Sequence, residues 1–194
     1  MDSSSSKVEV VLKHAVVIPH PLQGHITPAL HLSHHLSHHH IFITFLLPQH
    51  LLSRIPNPPN PNLRILGVSD SLPAQHPRNQ TFLHGYELAM AMEASVEELL
   101  SSLTHVQEQE ERWPPPPDFI ISDAFIVWAH DLALKYAIPS VAFVTTNATA
   151  MLLMASISKL TQLSILPIKG SYWNLSPISS EKNLASSLTG FFWL

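Results

Sequence analysis

A chain of 194 residues, 45% apolar and 12% charged, is long enough to bury a core and too apolar to be a disordered protein. The net charge of −4, with no basic cluster, excludes the electrostatic pattern of a nucleic-acid-binding surface. Cysteine is absent, which excludes disulfides, thiolate catalysis and cysteine-based metal sites.

The chain begins with a polar run, residues 1–7, followed by a short apolar run, and we expect residues 1–12 to be disordered. This segment is typical neither of a signal peptide nor of a membrane span, so the expected location is cytoplasmic. Strand-like apolar runs then alternate with helical patterns, which predicts an α/β fold with a parallel sheet flanked by helices. The predicted strands are residues 14–18, 41–47, 63–68, 119–122 and 141–145. The predicted helices are residues 28–38, 81–103, 124–136 and 148–163.

Two proline-rich stretches, residues 56–61 and 114–117, interrupt this pattern. Proline removes a backbone donor and fixes φ, so neither stretch is compatible with a helix or a central strand. Each stretch comes directly before a predicted strand. We therefore interpret both as surface connections and not as domain linkers.

His25 lies where the first strand passes into the first helix. Residues 19–28 read Pro-His-Pro-Leu-Gln-Gly-His-Ile-Thr-Pro. Thr27 and Pro28 are a suitable N-cap and first helical residue, which would place His25 in the turn before the helix. In open α/β sheets, ligands bind at the carboxyl ends of the strands, where such turns lie. The sequence therefore predicts a functional position for His25.

Asp123 directly follows the apolar strand of residues 119–122. In a parallel sheet both Asp123 and His25 would lie at the same edge, where they could approach each other. A carboxylate bonded to one imidazole nitrogen fixes the tautomer and leaves the other nitrogen to take a proton. Such a dyad can activate a hydroxyl group or a water molecule. The spacing alone is also compatible with a satisfied polar histidine and an aspartate that caps the next helix.

Two groups of motifs resemble plant UDP-glycosyltransferases. Residues 21–28 and then Ile43-Thr44-Phe45 resemble the opening of that family, P-x-x-x-Q-G-H-x-x-P followed by V-T-F. Residues 118–125, Asp-Phe-Ile-Ile-Ser-Asp-Ala-Phe, resemble its segment D-x-x-I-x-D-x-F. The family's tryptophan, its G-I-P strand entry and its F-x-T-x-x-A are matched by Trp128, residues 137–140 and residues 143–148. The resemblance covers about residues 13–168, in order and with similar spacing.

The resemblance implies a Rossmann-like, acceptor-binding N-terminal domain of a GT-B enzyme over residues 13–169. It implies sugar transfer from a UDP-sugar to a hydroxyl group of a small molecule, with inversion. His25 would be the general base, Asp123 its orienting carboxylate, and Thr145 a contact to the donor. The UDP-sugar is a co-substrate, and neither a cofactor nor a metal is expected. The acceptor would lie in an apolar cleft over the strand ends, for which Phe125 is one candidate lining residue.

The chain departs from the family in its length. The donor-binding motifs W-A-P-Q and H-C-G-W-N-S are absent from the 194 residues, and residues 170–194 have the pattern of a divergent tail. We therefore expect no donor-binding C-terminal domain here, weak UDP-sugar binding at most, and no activity of this chain alone. The alternative is a non-catalytic small-molecule-binding or vestigial protein of the same fold.

A row of histidines on the first predicted helix indicates a third hypothesis, a histidine-rich metal-binding protein. The row lies opposite Leu32 and Leu36, at spacings of three, four and seven, and comprises His31, His34, His35, His38 and His39. Histidines four apart on a helix can chelate a metal ion. No carboxylate lies within the helix to complete such a site, so a solvated helix face is the favoured interpretation.

Overall fold

The computed structural model of the chain describes residues 13–55, 60–78, 82–104 and 114–166. Three expectations lie outside these residues: the disordered segment 1–12, the divergent tail 170–194, and most of the first proline-rich stretch. The chain divides into two units, Met1–Thr145 and Thr146–Leu194, which are described separately.

The first unit alternates strands and helices as predicted. In chain order its elements are β1 (Lys13–Ile18), α1 (Gln23–Ser37), β2 (Ile41–Pro48), a 3-10 helix (Gln49–Arg54), β3 (Leu63–Val68), α2 (Phe82–Ala91), α3 (Glu93–Thr104), β4 (Phe119–Asp123), α4 (Val127–Lys135) and β5 (Ser140–Phe143). The predicted α/β fold with a parallel, helix-flanked sheet is confirmed. Within the described residues, no helix is both long and apolar enough to cross a membrane.

The second unit contributes α5 (Ala148–Gln162), close to the helix predicted over residues 148–163. Asn147 is its N-cap, and the side-chain oxygen of Asn147 accepts a hydrogen bond from the backbone N–H of Ala150 at 2.9 Å. An asparagine at this position satisfies one of the backbone donors that a helix N-terminus leaves unpaired.

The five strands are all parallel and lie in the order β3-β2-β1-β4-β5. The strand order therefore reverses between β1 and β4, and such a switch point leaves a crevice outside the carboxyl ends of the two strands. The register pairs Ile18, the last residue of β1, with Ser122 of β4. Residues that follow β1 and residues that end β4 are thus brought to the same crevice.

The core lies on both faces of the sheet. Val16 and Ile18 belong to a buried cluster formed with α3 and α4, whereas Ala15 and Val17 belong to a second cluster formed with α1. Successive side chains of β1 therefore point to opposite faces, as the pleat of a strand requires. Because both faces are covered, the strand has a continuous apolar run and no alternation of polar and apolar residues.

Helix α1 begins at Gln23, so the predicted start at Pro28 is wrong. Leu22 is the N-cap, and the backbone N–H groups of His25 and Ile26 both donate to its carbonyl oxygen at 2.9 Å. Pro28 lies inside the helix and has no N–H to donate, so one backbone hydrogen bond is missing in the second turn. His25 consequently lies in the first turn of α1 and not in the loop before it.

Leu22 is held in place by α2. A Cβ atom built on Gly85 of α2 would lie 2.7 Å from Leu22 Cδ2, so the helix and the loop are in close contact at this point. Only a residue without a side chain allows this approach. The N-cap residue of α1 is therefore packed against α2, a tertiary contact that the local sequence does not reveal.

The single helix predicted over residues 81–103 is wrong, since α2 and α3 are separated at the buried Met92. A helix end leaves its last carbonyl groups without partners inside the helix. The indole N–H of Trp128 donates to one of them, the carbonyl oxygen of Ala89, at 3.1 Å. A tertiary contact from α4 therefore compensates for part of the break.

His14 is the centre of a buried hydrogen-bond network near the amino end of β1. Its Nδ1 lies 2.6 Å from the carbonyl oxygen of Pro115, and its Nε2 lies 2.8 Å from Thr44 Oγ1. A carbonyl oxygen can only accept, so Nδ1 carries the proton and Nε2 accepts from the Thr44 hydroxyl. Burial lowers the pKa of His14 more than the Pro115 hydrogen bond raises it, and the Arg64 guanidinium lowers it further.

The second proline-rich stretch takes part in this network. It precedes β4 as predicted, but Pro114 and Pro117 are buried, so its interpretation as a surface connection is only partly correct. Because the carbonyl of Pro115 accepts from His14, the stretch packs against β1.

Replacing Thr44 by valine tests whether the network stabilises the fold. Valine keeps the shape but removes the hydroxyl that His14 Nε2 and Arg64 Nε share. We expect the free energy of unfolding, measured by urea denaturation, to fall by about 1–3 kcal/mol, the usual cost of removing the partner of a buried polar group. Ser102→Ala, which removes an exposed hydroxyl, is the control. Equal stability of Thr44→Val and the wild type would show that the network has no net effect.

Candidate active site

The three predicted site residues meet at the carboxyl edge of neighbouring strands. His25 comes from the first turn of α1, Asp123 is the last residue of β4, and Thr145 follows the end of β5. His25 Nδ1 lies 2.7 Å from Asp123 Oδ2 and 2.7 Å from Thr145 Oγ1. The side chains of Asp123 and Thr145 therefore converge on one ring nitrogen of His25.

Asp123 is buried, and both of its oxygens accept hydrogen bonds. Its side chain is 1% exposed, and Oδ1 accepts from the backbone N–H of Phe125 at 3.0 Å. The N-cap of α4 is Ile126, without a side-chain capping bond, so Asp123 is not the cap of that helix. Its carboxylate instead orders the turn after β4 with one oxygen and holds His25 with the other.

The His25 ring is held on several sides but keeps one nitrogen available. The Phe125 ring packs edge-on against it with centroids 5.8 Å apart, and the His20 ring lies 5.0 Å away. Within the described part of the chain, His25 Nε2 makes no hydrogen bond, and the side chain is 18% exposed. Because Nδ1 faces a carboxylate, it carries the proton, and Nε2 has a lone pair that can accept one. This arrangement can deprotonate a hydroxyl group in the crevice.

His20 is a site residue that the sequence analysis did not identify. It lies in the loop between β1 and α1 and is 1% exposed. Burial lowers the pKa of His20 to about 4, and the nearby His25 lowers it too, while Asp123 acts in the opposite direction. His20 is therefore uncharged near neutral pH and does not oppose a positive charge on His25. The signal in the sequence was the Pro-His-Pro run directly after an apolar strand.

A second polar cluster orders the loop that follows β3 at the same edge of the sheet. Arg78 donates to both carboxylate oxygens of the buried Asp70, with distances of 2.9 Å from Nε to Oδ2 and 3.2 Å from Nη2 to Oδ1. Burial raises the pKa of Asp70, but the hydrogen bonds from Arg78 and from the N–H of Leu72 outweigh this and lower it. Since Arg78 also donates to carbonyl oxygens of the loop, the pair has a structural role.

The histidine row lies on a solvent-facing side of α1. Leu32 and Leu36 pack against the second core cluster, while His31 and His35 are exposed. Because α1 ends at Ser37, His38 and His39 of the row lie beyond the helix, so the placement of the whole row on one helix is wrong. Among the residues that the structure describes, no three His, Asp or Glu side chains are grouped so that they could hold a metal ion.

Plant UDP-glycosyltransferases match most of this sequence. UDP-glycosyltransferase 83A1 of Arabidopsis thaliana is 28% identical over 180 residues, which are 88% of this chain and 38% of the relative. The 7-deoxyloganetin glucosyltransferase of Gardenia jasminoides is 28% identical over 167 residues, which are 80% of this chain and 34% of that protein. The chain thus spans about a third of the length of the curated relatives it matches. No family model matches the sequence.

Solved structures of similar proteins share the fold. A UDP-glucose:anthocyanidin 3-O-glucosyltransferase in complex with UDP matches 84% of this chain and 36% of its own, with a TM-score of 0.63 and 20% identity. Phytolacca americana UGT2, complexed with UDP-2-fluoro-glucose and pterostilbene, matches 85% of this chain and 37% of its own, with a TM-score of 0.63 and 18% identity. Their N-terminal domain has the same helix-flanked parallel sheet.

The lowered pKa of His20 makes the stability of the fold depend on pH. The unfolded chain takes up a proton on His20 near pH 6.5 and the folded chain only near pH 4, so stability is lost as pH falls through this range. The loss amounts to about 3 kcal/mol at the acid end, from roughly 1.4 kcal/mol per pKa unit. Urea denaturation at several pH values in this window measures it.

His20→Phe keeps an aromatic ring that cannot titrate. This variant is expected to lose less stability than the wild type between neutral pH and pH 4, whereas His35→Phe, at an exposed position, should behave as the wild type. The same pH dependence in His20→Phe and the wild type would show that His20 is not the group responsible.

Proposed function

Because the chain is a homologue of the N-terminal part of the plant UDP-glycosyltransferases, we propose that it forms the acceptor-binding part of such an enzyme. The enzyme would transfer a sugar from a UDP-sugar to a hydroxyl group of a small molecule. The observation that carries the proposal is the 2.7 Å contact between His25 Nδ1 and Asp123 Oδ2 at the switch point of the sheet. It supplies a positioned base where an α/β fold binds its ligands.

In the proposed reaction, the acceptor hydroxyl lies against His25 Nε2. Nε2 takes the hydroxyl proton while the oxygen forms a bond to the anomeric carbon of the sugar. The bond from that carbon to UDP breaks on the opposite side, and UDP leaves with the electron pair. The configuration is therefore inverted, and no covalent intermediate with the protein is needed. Asp123 stabilises the imidazolium that results and holds the ring in place.

Thr145 is the proposed contact to the donor. Its hydroxyl oxygen is 2.7 Å from His25 Nδ1, so a sugar or phosphate oxygen bound to Thr145 would lie close to the base. The proposal needs no metal ion and no cofactor, since the UDP-sugar is itself a substrate. The similar protein solved with pterostilbene makes small hydroxylated aromatic molecules the first acceptors to test.

A second candidate function is small-molecule binding without catalysis. It would require only the crevice beside the His25–Asp123 pair and no bound donor. The 194 residues contain none of the donor-binding motifs of the family. We therefore expect the 194-residue chain on its own to bind acceptors but to transfer no sugar.

A chimeric protein tests the proposal. This chain, up to the last residue of its match to UDP-glycosyltransferase 83A1, is joined to the region of that protein that follows the match. The product is incubated with UDP-glucose and hydroxylated aromatic acceptors. We expect glycoside formation, detected by mass spectrometry, by the chimera and not by the 194-residue chain. His25→Gln and Asp123→Asn should each reduce the rate by about 100-fold or more, the usual contribution of a general base.

The matched control is His35→Gln, which changes an exposed histidine on the same helix. It should transfer at the rate of the unmodified chimera. Equal rates for His25→Gln and the control would place the base elsewhere. A folded chimera that binds acceptors and transfers to none of them would favour the non-catalytic candidate.

A further inference from the structure

Two oxygens compete for one nitrogen in the active site. Asp123 Oδ2 and Thr145 Oγ1 both lie 2.7 Å from His25 Nδ1. An imidazole nitrogen has a single in-plane position, occupied either by a proton or by a lone pair. The two contacts therefore cannot be two independent hydrogen bonds, and the location of the ring proton decides what Thr145 does.

If Nδ1 had a lone pair, the Thr145 hydroxyl could donate to it. The carboxylate of Asp123 would then face that lone pair at 2.7 Å with no proton between them, in a site where Asp123 is 1% exposed. Such an unpaired contact is costly where little water can compensate. If Nδ1 carries the proton, both oxygens accept from it, and the hydroxyl proton of Thr145 is left to point elsewhere.

We propose that Thr145 is a positioning residue for His25, acting as the second acceptor of the Nδ1–H group and so favouring the tautomer whose Nε2 is the base. This inference rests on the proposed function. In addition to touching the donor, Thr145 would thus help to hold the proton of the base on the correct nitrogen.

The same hydroxyl then links donor binding to the state of the base. With one lone pair of its oxygen accepting from His25, Thr145 still has its proton to donate to a ligand. That proton fits an oxygen that accepts, such as a phosphate oxyanion of a nucleoside diphosphate sugar. A hydroxyl that donates becomes a better acceptor, so such a ligand would strengthen the bond from Nδ1–H.

The proton position on His25 is measurable by ¹⁵N NMR of the histidine-labelled 194-residue chain, at a pH where the ring is neutral. The His25 signals are assigned with His25→Gln. In the wild type we expect Nδ1 to be protonated and Nε2 to be unprotonated. Thr145→Val should raise the fraction of His25 with the proton on Nε2 by about twofold to tenfold, the factor that loss of one hydrogen bond produces. Thr145→Ser, which retains the hydroxyl, should restore the wild-type signals.

Ser140→Ala is the matched control, because Ser140 Oγ lies 2.9 Å from Nδ1 of another histidine, His130. It should change the His130 signals and leave those of His25 unaltered. Identical His25 signals in Thr145→Val and the wild type would overturn the proposal, and Thr145→Ala provides the same comparison if the valine variant does not fold. No substrate is present in the experiment, so its outcome is independent of whether the chimera transfers sugar.

Discussion

The hydrogen bond between His25 and Asp123 depends on the order and register of the central strands. β1 and β4 are parallel neighbours, and their register brings Ile18 level with Ser122. The turn after β1 and the last residue of β4 are therefore held side by side at the carboxyl ends of the two strands. A shift of the register by one residue would point Asp123 to the other face, since side chains alternate along a strand. The geometry of the proposed base is thus a consequence of sheet topology.

Burial lowers the pKa of two histidines at opposite ends of β1, and the two uncharged rings have different roles. His14 lies in β1 near its amino end and His20 follows the carboxyl end, and burial lowers the pKa of both. His14, with both ring nitrogens bonded, joins β1 to Thr44 of the neighbouring strand and to the loop before β4. His20 lies beside His25, and because its ring is uncharged it does not repel the positive charge that His25 acquires as a base.

The sequence predicted the parallel sheet and the proximity of His25 to Asp123 better than it predicted where the helices begin and end. Buried parallel strands are continuous apolar runs, which are easily recognised, and the motifs around His25 and Asp123 identified the pair. The start of α1 was missed because Thr27 and Pro28 have the pattern of a helix start, while the observed N-cap, Leu22, lacks a side-chain capping bond and packs against Gly85 of α2. The separation of α2 from α3 is accompanied by another such contact, from Trp128 to Ala89.

The contact of Thr145 with His25 could not be predicted from local pattern either. The predicted last strand included Thr145, but β5 ends at Phe143. The side chains after Phe143 therefore do not have to alternate between the two faces of the sheet. The family resemblance suggested a donor contact for Thr145. Its distance to His25 Nδ1 comes from the packing of the β5 end beside α1 and β4, which links residues far apart in the chain.

A crystal structure of the chain with a bound hydroxylated aromatic acceptor tests the central claim most directly. If His25 is the base that Asp123 holds, the acceptor hydroxyl oxygen will lie about 2.6–3.2 Å from His25 Nε2, with the bond from Nδ1 to Asp123 intact. An acceptor that occupies the crevice with no hydroxyl near Nε2, or that leaves Nε2 bonded to the protein, would contradict the account.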